Sequence, residues 1–374
     1  MPRLALALLL AIHGAIHLLG FAKGMALADV EALKQPISRV GGALWLTAAV
    51  LFLAAAVLLY AAPGRWWIPA LPALLLSQGL IIGAWSDARF GTVANVLVLV
   101  PLAVTLLGMS PWSLAAEFRR EAANRPSAPA AAPGDVVTEA DLGPLPEPVR
   151  KYLRRAGVVG RPHVRGFEAR FHGRIRNGLD APWMDFVAAQ RTVIAPPARL
   201  FLIDASRAGI PFQVLHAFIG PDATMRVRVA QLVDVVNARG PELNRSETVT
   251  FFNDLCLLAP GALVDVPVRW EVLEASAVRA TYTQGSETIS AVLTFDGQGD
   301  LAGFVSEDRY LSADGKTYAR HPWSTPVRNF GEYAGGRLAR NGEAIWKLPG
   351  RDLTYGEFVL ESLTTDPVVE RSTP

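Results

Sequence analysis

The feature that most constrains this chain is a series of four apolar runs before residue 117 that contain no Asp, Glu, Lys or Arg. The runs are Leu4–Ala22, Gly41–Ala62, Trp66–Trp85 and Phe90–Ala116, and each has at least 19 residues. A helix rises about 1.5 Å per residue, so each run is long enough to cross a hydrocarbon core of roughly 30 Å. The sequence therefore predicts a four-helix transmembrane domain over residues 1–116, in a multi-pass protein of the bacterial inner-membrane type.

The first run also admits an interpretation as a cleaved signal peptide. Arg3, the apolar stretch and the small residues ending at Ala28 imitate the three parts of such a peptide. The run is longer than the usual apolar region of a signal peptide, and it contains two histidines. Both features favour an uncleaved first span.

The composition changes after residue 116. Charged residues return, and six prolines lie between Arg125 and Pro148. Such a stretch does not bury a core, which predicts a Pro/Ala-rich linker over residues 117–144. Beyond it, segments such as "VRGFEARFHGRIR" alternate between apolar and polar residues, which predicts a β-rich domain over residues 145–374.

Eleven further segments of this domain have strand patterns, among them Thr224–Val236, and Asp-Gly or Asn-Gly pairs separate several of them. One clear helix interrupts the series, in "PELNRSETVTFFNDLCLLAPGALVD", where Ser246 is a candidate N-cap. A shorter helix is predicted in "PEPVRKYLRRAG". The predicted fold is an antiparallel, β-rich (α+β) half-barrel or barrel, with one or two helices covering its concave side.

Several stretches resemble an uncharacterised bacterial membrane family with four amino-terminal transmembrane helices and a carboxy-terminal domain of unknown function. They include "HGAIHLLGFAKG", "SDARFGTVANVL", "TVTFFNDLCLLAPGALVD", "HPWSTPVRNF" and "GEAIWKLPG". The resemblance covers nearly the whole chain and implies the architecture, but it supplies no functional residues. The carboxy-terminal strand series is also similar to the LolA/LolB-like lipoprotein carriers, whose half-barrels shelter acyl chains, and this likeness implies fold alone.

Two histidines in the first run form a candidate polar cluster with residues of a later loop. His13 and His17 lie one helical turn apart on the same face. With four spans, the first and third runs end on the same side of the membrane, so His17 is expected near Asp87 and Arg89. Ionisable groups in such segments usually face the bundle interior.

The spacing of the two histidines limits the chemistry of this cluster. A haem needs axial ligands on both faces of its ring, and two histidines on one helix do not supply them. A metal needs a third ligand, for which Asp87 is the nearest candidate. The sequence therefore predicts no metal and no cofactor, and it leaves either helix-to-helix hydrogen bonds or a pocket for a quinone or lipid headgroup.

The carboxy-terminal domain contains no recognisable nucleophile, phosphate-binding or metal motif. Its single cysteine, Cys256, lies in an apolar context that disfavours the thiolate. Asp254 on the predicted helix needs a buried partner such as Arg309 or Arg269. The candidate ligand-lining residues are Phe252, Asn253, Asp254, Arg309 and Trp323.

These features predict a non-enzymatic membrane module that binds a lipid or another hydrophobic small molecule. The alternatives are a membrane sensor or scaffold, or an enzyme of unknown class that uses Asp254 as acid or base. A net charge of +2 without a dense Lys/Arg stripe argues against a nucleic-acid partner. The Lys and Arg residues flanking the spans balance between the two sides, and Arg125 favours a cytoplasmic position for the soluble domain.

Overall fold

The computed structural model describes residues 3–125, 135–312 and 314–366. Residues 126–134, the middle of the predicted linker, lie outside this described part. The chain divides into two compact units, one formed by Met1–Ser113 with Ala208–Ile210 and the other by Leu114–Arg207 with Pro211–Pro374. The predicted limits at residues 116 and 144 stay a prediction.

The first unit is helical. Its helices are α1 (Arg3–Gly24), α2 (Arg39–Ala61), α3 (Trp67–Gly83), the single-turn α4 (Trp85–Ala88) and α5 (Gly91–Met109). Ser38 caps α2, because its hydroxyl accepts a hydrogen bond from the Gly41 N–H at 3.1 Å. Small residues let α1 and α2 approach closely, and the backbones of Gly24 and Gly42 are in contact.

Three helical segments are long and apolar enough to cross a membrane: Arg3–Gly24, Arg39–Ala61 and Gly91–Ala123. The remaining apolar helix, Trp67–Gly83, has 17 residues and is shorter than such a span. The four predicted runs thus all contain a helix, but only three segments of the described chain meet the length and hydropathy of a membrane span, and the third of them combines α5 and α6.

The second unit contains four helices and fifteen strands within the described residues. The helices are α6 (Leu114–Ala123), α7 (Glu139–Leu142), α8 (Glu147–Arg155) and α9 (Pro241–Leu258), and a 3-10 turn follows at Pro260–Val264. The strands are β1 (Gly166–Ile175), β2 (Met184–Val193), β3 (Ala198–Arg207), β4 (Ile210–Ile219), β5 (Asp222–Val229), β6 (Val233–Arg239), β7 (Val268–Glu274), β8 (Ala277–Gln284), β9 (Glu287–Phe295), β10 (Leu301–Ser306), β11 (Tyr310–Leu311), β12 (Ala319–Arg320), β13 (Trp323–Tyr333), β14 (Gly336–Leu348) and β15 (Arg351–Thr365).

Thirteen of these strands form one antiparallel sheet. Their order is β6-β5-β4-β3-β2-β1-β15-β14-β13-β10-β9-β8-β7, and β11 pairs only with β12. Strands β6 and β7 are the two edges, so the sheet is open over the described residues, and the closed-barrel alternative is wrong. The coarser prediction of a large antiparallel sheet that follows amino-terminal helices is confirmed.

The sheet curves around α9. This helix contacts β5 and β6 near one edge of the sheet, and β9 and β10 towards the other edge. The two ends of the strand order are also in direct contact. The Gln284 side chain of β8 donates a hydrogen bond to the Gly220 carbonyl in the β4–β5 turn at 3.1 Å. A flat sheet would hold these strands tens of Å apart, at about 4.8 Å per strand.

Two local predictions are wrong for identifiable reasons. Thr224–Val236, predicted as one strand, is the hairpin of β5 and β6, whose turn places Ala230 and Gln231 at φ of 50° and 61°. These residues are unusual in a left-handed turn, so the usual Asn-Gly signal is missing. Ser246 does not cap α9, which begins at Pro241 after Gly240 at φ 124°.

Helix α6 covers part of the outer face of the sheet. Its apolar residues Leu114 and Phe118 pack against Leu202 of β3 and Leu215 of β4. Glu117 of α6 forms an ion pair with Arg226 of β5. The inner face of these strands is therefore free to face α9.

Candidate functional site

The predicted polar cluster of the first unit separates into two groups in the structure. His13 Nε2 lies 2.8 Å from Asn95 Oδ1, and His17 Nε2 lies 2.9 Å from the hydroxyl of Ser77. That hydroxyl also donates to Asn95 Oδ1 at 3.1 Å. The histidines therefore join α1 to α3 and α5 through buried hydrogen bonds.

Asp87 and Arg89 make other contacts. Asp87 accepts hydrogen bonds from the Gln35 backbone N–H at 2.7 Å and from the Ser86 hydroxyl at 2.8 Å. The Arg89 guanidinium lies 5.2 Å from the centroid of the Phe90 ring. The described contacts of these two residues do not include either histidine.

Helix α9 closes one end of the curved sheet. Phe251 packs against Phe218 near the end of β4, and Asn244 accepts a hydrogen bond from the Ala223 N–H near the start of β5. The carbonyl of Cys256 accepts a hydrogen bond from the hydroxyl of Tyr152 on α8 at 2.7 Å. We call this end, where β1 begins and β4 ends, the closed end.

The opposite end of the inner face has a half-exposed apolar surface. Inward side chains there are partly buried against the core, and we call this set the inner rim: Ile175, Ala205, Phe212, Val227, Val236 and Phe358. Gly315, between β11 and β12, packs on Val236. The antiparallel order brings the β1–β2, β3–β4 and β5–β6 turns to this end. The register supports the inward assignment, because Phe186 faces Ala205, and Val227 faces both Val214 and Val236.

A buried ion network lies between α9 and the inner face. Arg199 of β3 donates from Nε to Asp254 Oδ2 at 2.6 Å and from Nη1 to Glu247 Oε2 at 3.2 Å. His216 Nδ1 lies 2.9 Å from Glu247 Oε1, and Gln190 Nε2 donates to Asp254 Oδ2 at 2.7 Å. Glu247 and Asp254 thus have two polar partners each.

The electrostatics of this network favour the ionised form of Glu247. Burial alone would raise the pKa of Glu247, but the charge and hydrogen bond of His216, followed by the charges of Arg199 and Arg309, outweigh it and lower the pKa to about 2. Burial raises the pKa of the Cys256 thiol well above its ordinary value. The cysteine is therefore an inert core residue, and Glu247 is a structural anion.

The structure encloses Asp254 against an arginine. The predicted partners Arg309 and Arg269 are wrong, since Arg199 pairs with Asp254, and the Asp254 side chain is 11% exposed. An acid or base in catalysis must reach its substrate. The enclosed carboxylate of Asp254 thus does not have the access to a substrate that the enzyme alternative requires.

Two other candidate ligand-lining residues lie in the core. Phe252 is fully buried, and its ring stacks on Tyr282 with centroids 4.9 Å apart. Asn253 is also buried and accepts a hydrogen bond from the Thr325 hydroxyl at 2.6 Å. Both residues fix α9 to the sheet, so their contribution to a ligand site stays a prediction.

The remaining two candidates, Arg309 and Trp323, are in contact. They form a group with Trp346 and Tyr355 that we call the aromatic shelf. Arg309 places its guanidinium 4.2 Å from the ring centroid of Trp323 and 5.4 Å from that of Trp346. Its Nη1 donates to the Tyr355 hydroxyl at 2.9 Å, and the Trp323 indole N–H donates to the same hydroxyl at 3.0 Å. Both tryptophans are buried, while Arg309 and Tyr355 are half-buried.

A small cavity lies at the closed end, away from these groups. It measures about 60 Å³ and is lined by the α8–β1 loop, the end of α9 and the β13–β14 turn, including Val158, Leu258 and Tyr333. Pockets for small molecules usually have roughly 300–1,000 Å³. This cavity is too small for a lipid chain.

Sequence reasoning missed Arg199, His216, Glu247, Tyr355 and all six residues of the inner rim. One signal was available for Glu247, because it lies seven residues before Asp254 and shares a face of α9 with it. The strand partners have no comparable signal. The long-range order of the strands determines which of them lie opposite α9. Local periodicity in the sequence does not predict that order.

The chain belongs to a family of unknown function, DUF6544, which it matches over residues 135–358. This match covers most of the second unit and confirms the predicted membership in a family without a known function. No curated protein matches the chain.

Solved structures of similar proteins have low identity to this chain. A DUF1329 family protein from Desulfovibrio piger is 14% identical, with 60% of this chain and 93% of that chain covered and a TM-score of 0.35. A LolA superfamily protein from Nitrosomonas europaea is 10% identical, with 60% of this chain and 94% of that chain covered and a TM-score of 0.32.

Proposed function

We propose that this protein is a multi-pass membrane protein whose carboxy-terminal domain binds a lipid or another hydrophobic molecule at the inner rim. The observation that carries the proposal is the half-exposed inner rim at the end of the sheet that α9 leaves uncovered. Removing apolar surface from water contributes about 25 cal/mol per Å², so such a concave apolar surface favours an apolar ligand.

The apolar helices of the first unit support the membrane location. Large apolar side chains on their outer surfaces are exposed, among them Leu4, Ile12, Val50, Val57 and Leu75. A soluble protein seldom leaves so many large apolar residues exposed on adjacent helices, whereas lipid tails would solvate them. The flanking Lys and Arg residues balance between the two sides of the membrane, and Arg125 favours a cytoplasmic position for the domain.

The proposal is tested by photolabelling the full chain with an uncharged long-chain alcohol that carries a diazirine near its chain end. After irradiation in detergent micelles, mass spectrometry maps the labelled peptides. We expect labelled peptides from the β1–β2, β3–β4 and β5–β6 segments, in addition to any label on the apolar helices. Label confined to the apolar helices would exclude ligand binding at the inner rim.

A bulky residue in the inner rim should block the ligand. Ala205 is an inward rim residue, and the indole of Ala205→Trp would fill the space that the ligand needs. We expect this variant to reduce labelling of the rim peptides by about tenfold, since packed side chains leave little free volume.

The matched control is Val187→Trp. Val187 lies on the neighbouring strand with its side chain on the outer face, where it is 57% exposed. This variant should label like the unmodified chain. If the two tryptophan variants label equally, the ligand does not occupy the inner face.

A further inference from the structure

We propose that the ligand of the inner rim carries an anionic oxygen head group, a carboxylate or a phosphate, which binds the guanidinium of Arg309. This inference rests on the proposed function and adds the chemical class of the ligand. A neutral apolar molecule would occupy the rim without using this arginine.

Arg309 is a half-buried cation without a carboxylate partner. Within the described residues, no Asp or Glu oxygen lies within 4.0 Å of its guanidinium, and its buried Nε has no hydrogen-bond partner. Its described contacts are the neutral Tyr355 hydroxyl and the faces of Trp323 and Trp346. Cation–π contacts compensate part of the lost hydration, but they do not supply a counter-charge.

The other arginines around α9 differ from Arg309 in this respect. Arg199 pairs with Glu247 and Asp254, and Arg245 pairs with Glu287 and with Asp308. Arg320 pairs with Asp308 as well. Among the described residues, each of these three guanidinium groups has a counter-charge beside it, whereas Arg309 has none.

Glu247, whose pKa the charge of Arg309 helps to lower, already has other partners. Its Oε1 lies beside His216, and its Oε2 accepts from Arg199. Neither oxygen of Glu247 bonds to Arg309. An incoming anion could therefore approach the guanidinium without displacing an existing ion pair.

The register places this guanidinium at the level of the inner rim. Ile175, the last residue of β1, lies opposite Gly356 of β15. The backbone N–H of Arg176 donates to the carbonyl of Tyr355 at 2.9 Å. Tyr355, which holds Arg309, is thus a neighbour of a rim residue, and a ligand chain along the rim would bring its end close to the arginine.

The chemistry of the shelf fits an oxyanion attached to an apolar chain. A guanidinium presents several N–H donors in a fixed plane and binds carboxylate or phosphate oxygens with two bonds. The two indole rings contact the guanidinium and help to hold that plane in place. A cationic ligand would be repelled, and a hydrocarbon without an oxygen would leave the buried Nε unpaired.

The test compares two photolabels of equal chain length on the full chain, a long-chain carboxylate and the corresponding alcohol. We expect the carboxylate to reach half-saturation of the rim peptides at an about tenfold lower concentration, as expected for a charge-assisted hydrogen bond. Arg309→Met should abolish this preference, and Arg309→Lys should restore part of it. Arg170→Met removes the same charge from the exposed outer face of β1, and it should retain the full preference.

The possible outcomes separate the two proposals. If carboxylate and alcohol label the rim equally in the unmodified chain, the head-group proposal is wrong, while the proposed function stands. If neither labels the rim, the proposed function fails. If inorganic phosphate displaces the label as well as an unlabelled long-chain carboxylate does, Arg309 binds a free anion, which also overturns the proposal. The comparison in the unmodified chain does not depend on the folding of any variant.

Discussion

Arg199→Met should lower the free energy of unfolding by about 3–5 kcal/mol, because it leaves buried carboxylates without their cation. The Arg199 side chain is 7% exposed and bonds both acids on the inner face of α9. A methionine keeps much of the side-chain volume but supplies no donor. The expected cost therefore arises from Glu247 and Asp254, whose charges would remain in the interior.

The thiol of Cys256 reports this unfolding in the full chain. It is the only cysteine of the sequence, and it is buried on α9 two residues after Asp254. A thiol reagent added at increasing urea concentrations labels Cys256 only when α9 leaves the sheet. The midpoint of that labelling curve should fall strongly in Arg199→Met.

The matched control is Arg279→Met, which removes an arginine from an exposed ion pair. Arg279 Nη1 lies 2.7 Å from Glu271 Oε2, and both side chains are exposed. Such surface pairs contribute at most about 1 kcal/mol. If Arg199→Met costs no more than this control, the buried network is not what fixes α9.

The second large effect is a loss of stability in acid that depends on Glu247. Its pKa of about 2 lies below the ordinary value of 4.5, so the folded state binds this proton less readily than the unfolded chain. By linkage, the difference corresponds to about 3 kcal/mol of stability above pH 5. This stability should decline below pH 4.5 and be largely lost as the pH falls through 2.

Glu247→Gln isolates this contribution. The amide does not titrate, so the variant should start less stable at pH 6 and lose about 3 kcal/mol less than the unmodified chain between pH 6 and pH 2. Urea midpoints at a series of pH values measure the difference, and they are read by tryptophan fluorescence because thiol labelling is too slow in acid. Parallel pH profiles for the two proteins would show that Glu247 is not held ionised by His216 and Arg199.

The apolar helices could be predicted because their signal is local. A run such as Gly41–Ala62 has no charged residue, and the structure makes nearly the same segment into α2, Arg39–Ala61. The number of membrane spans is harder to predict, because the sequence predicts four and only three segments of the described chain are long enough. The third run contains Pro72 and gives a helix of 17 residues, which ends before the turn of α4.

The strands could be predicted for a similar reason. Alternation in "VRGFEARFHGRIR" predicts a strand, and the structure forms β1, Gly166–Ile175, in this segment because one face of β1 is largely buried and the other is largely exposed. The β5–β6 hairpin was missed, since Ala230 and Gln231 turn the chain without a glycine between the two strands.

The candidate site could be predicted only in part, because it forms through long-range pairing. Arg309 and Trp323 were identified as unusual polar and aromatic residues, and the structure brings them into contact. Their partners Trp346 and Tyr355 come from strands β14 and β15, which join β13 only in the folded sheet. The partner of Asp254 was missed for the same reason, since Arg199 lies on a strand 55 residues earlier.

The most direct test of the proposed binding site is ligand protection of a thiol at the inner rim. Ala205→Cys places a reactive group on the inner face, and Val187→Cys places one on the outer face of the adjacent strand. Cys256 is buried and should stay silent in the folded protein. A long-chain carboxylate should slow labelling at position 205 by about tenfold, as expected for occupancy near saturation, and leave position 187 unchanged. Equal labelling at position 205 with and without the carboxylate would contradict a ligand site on the inner face.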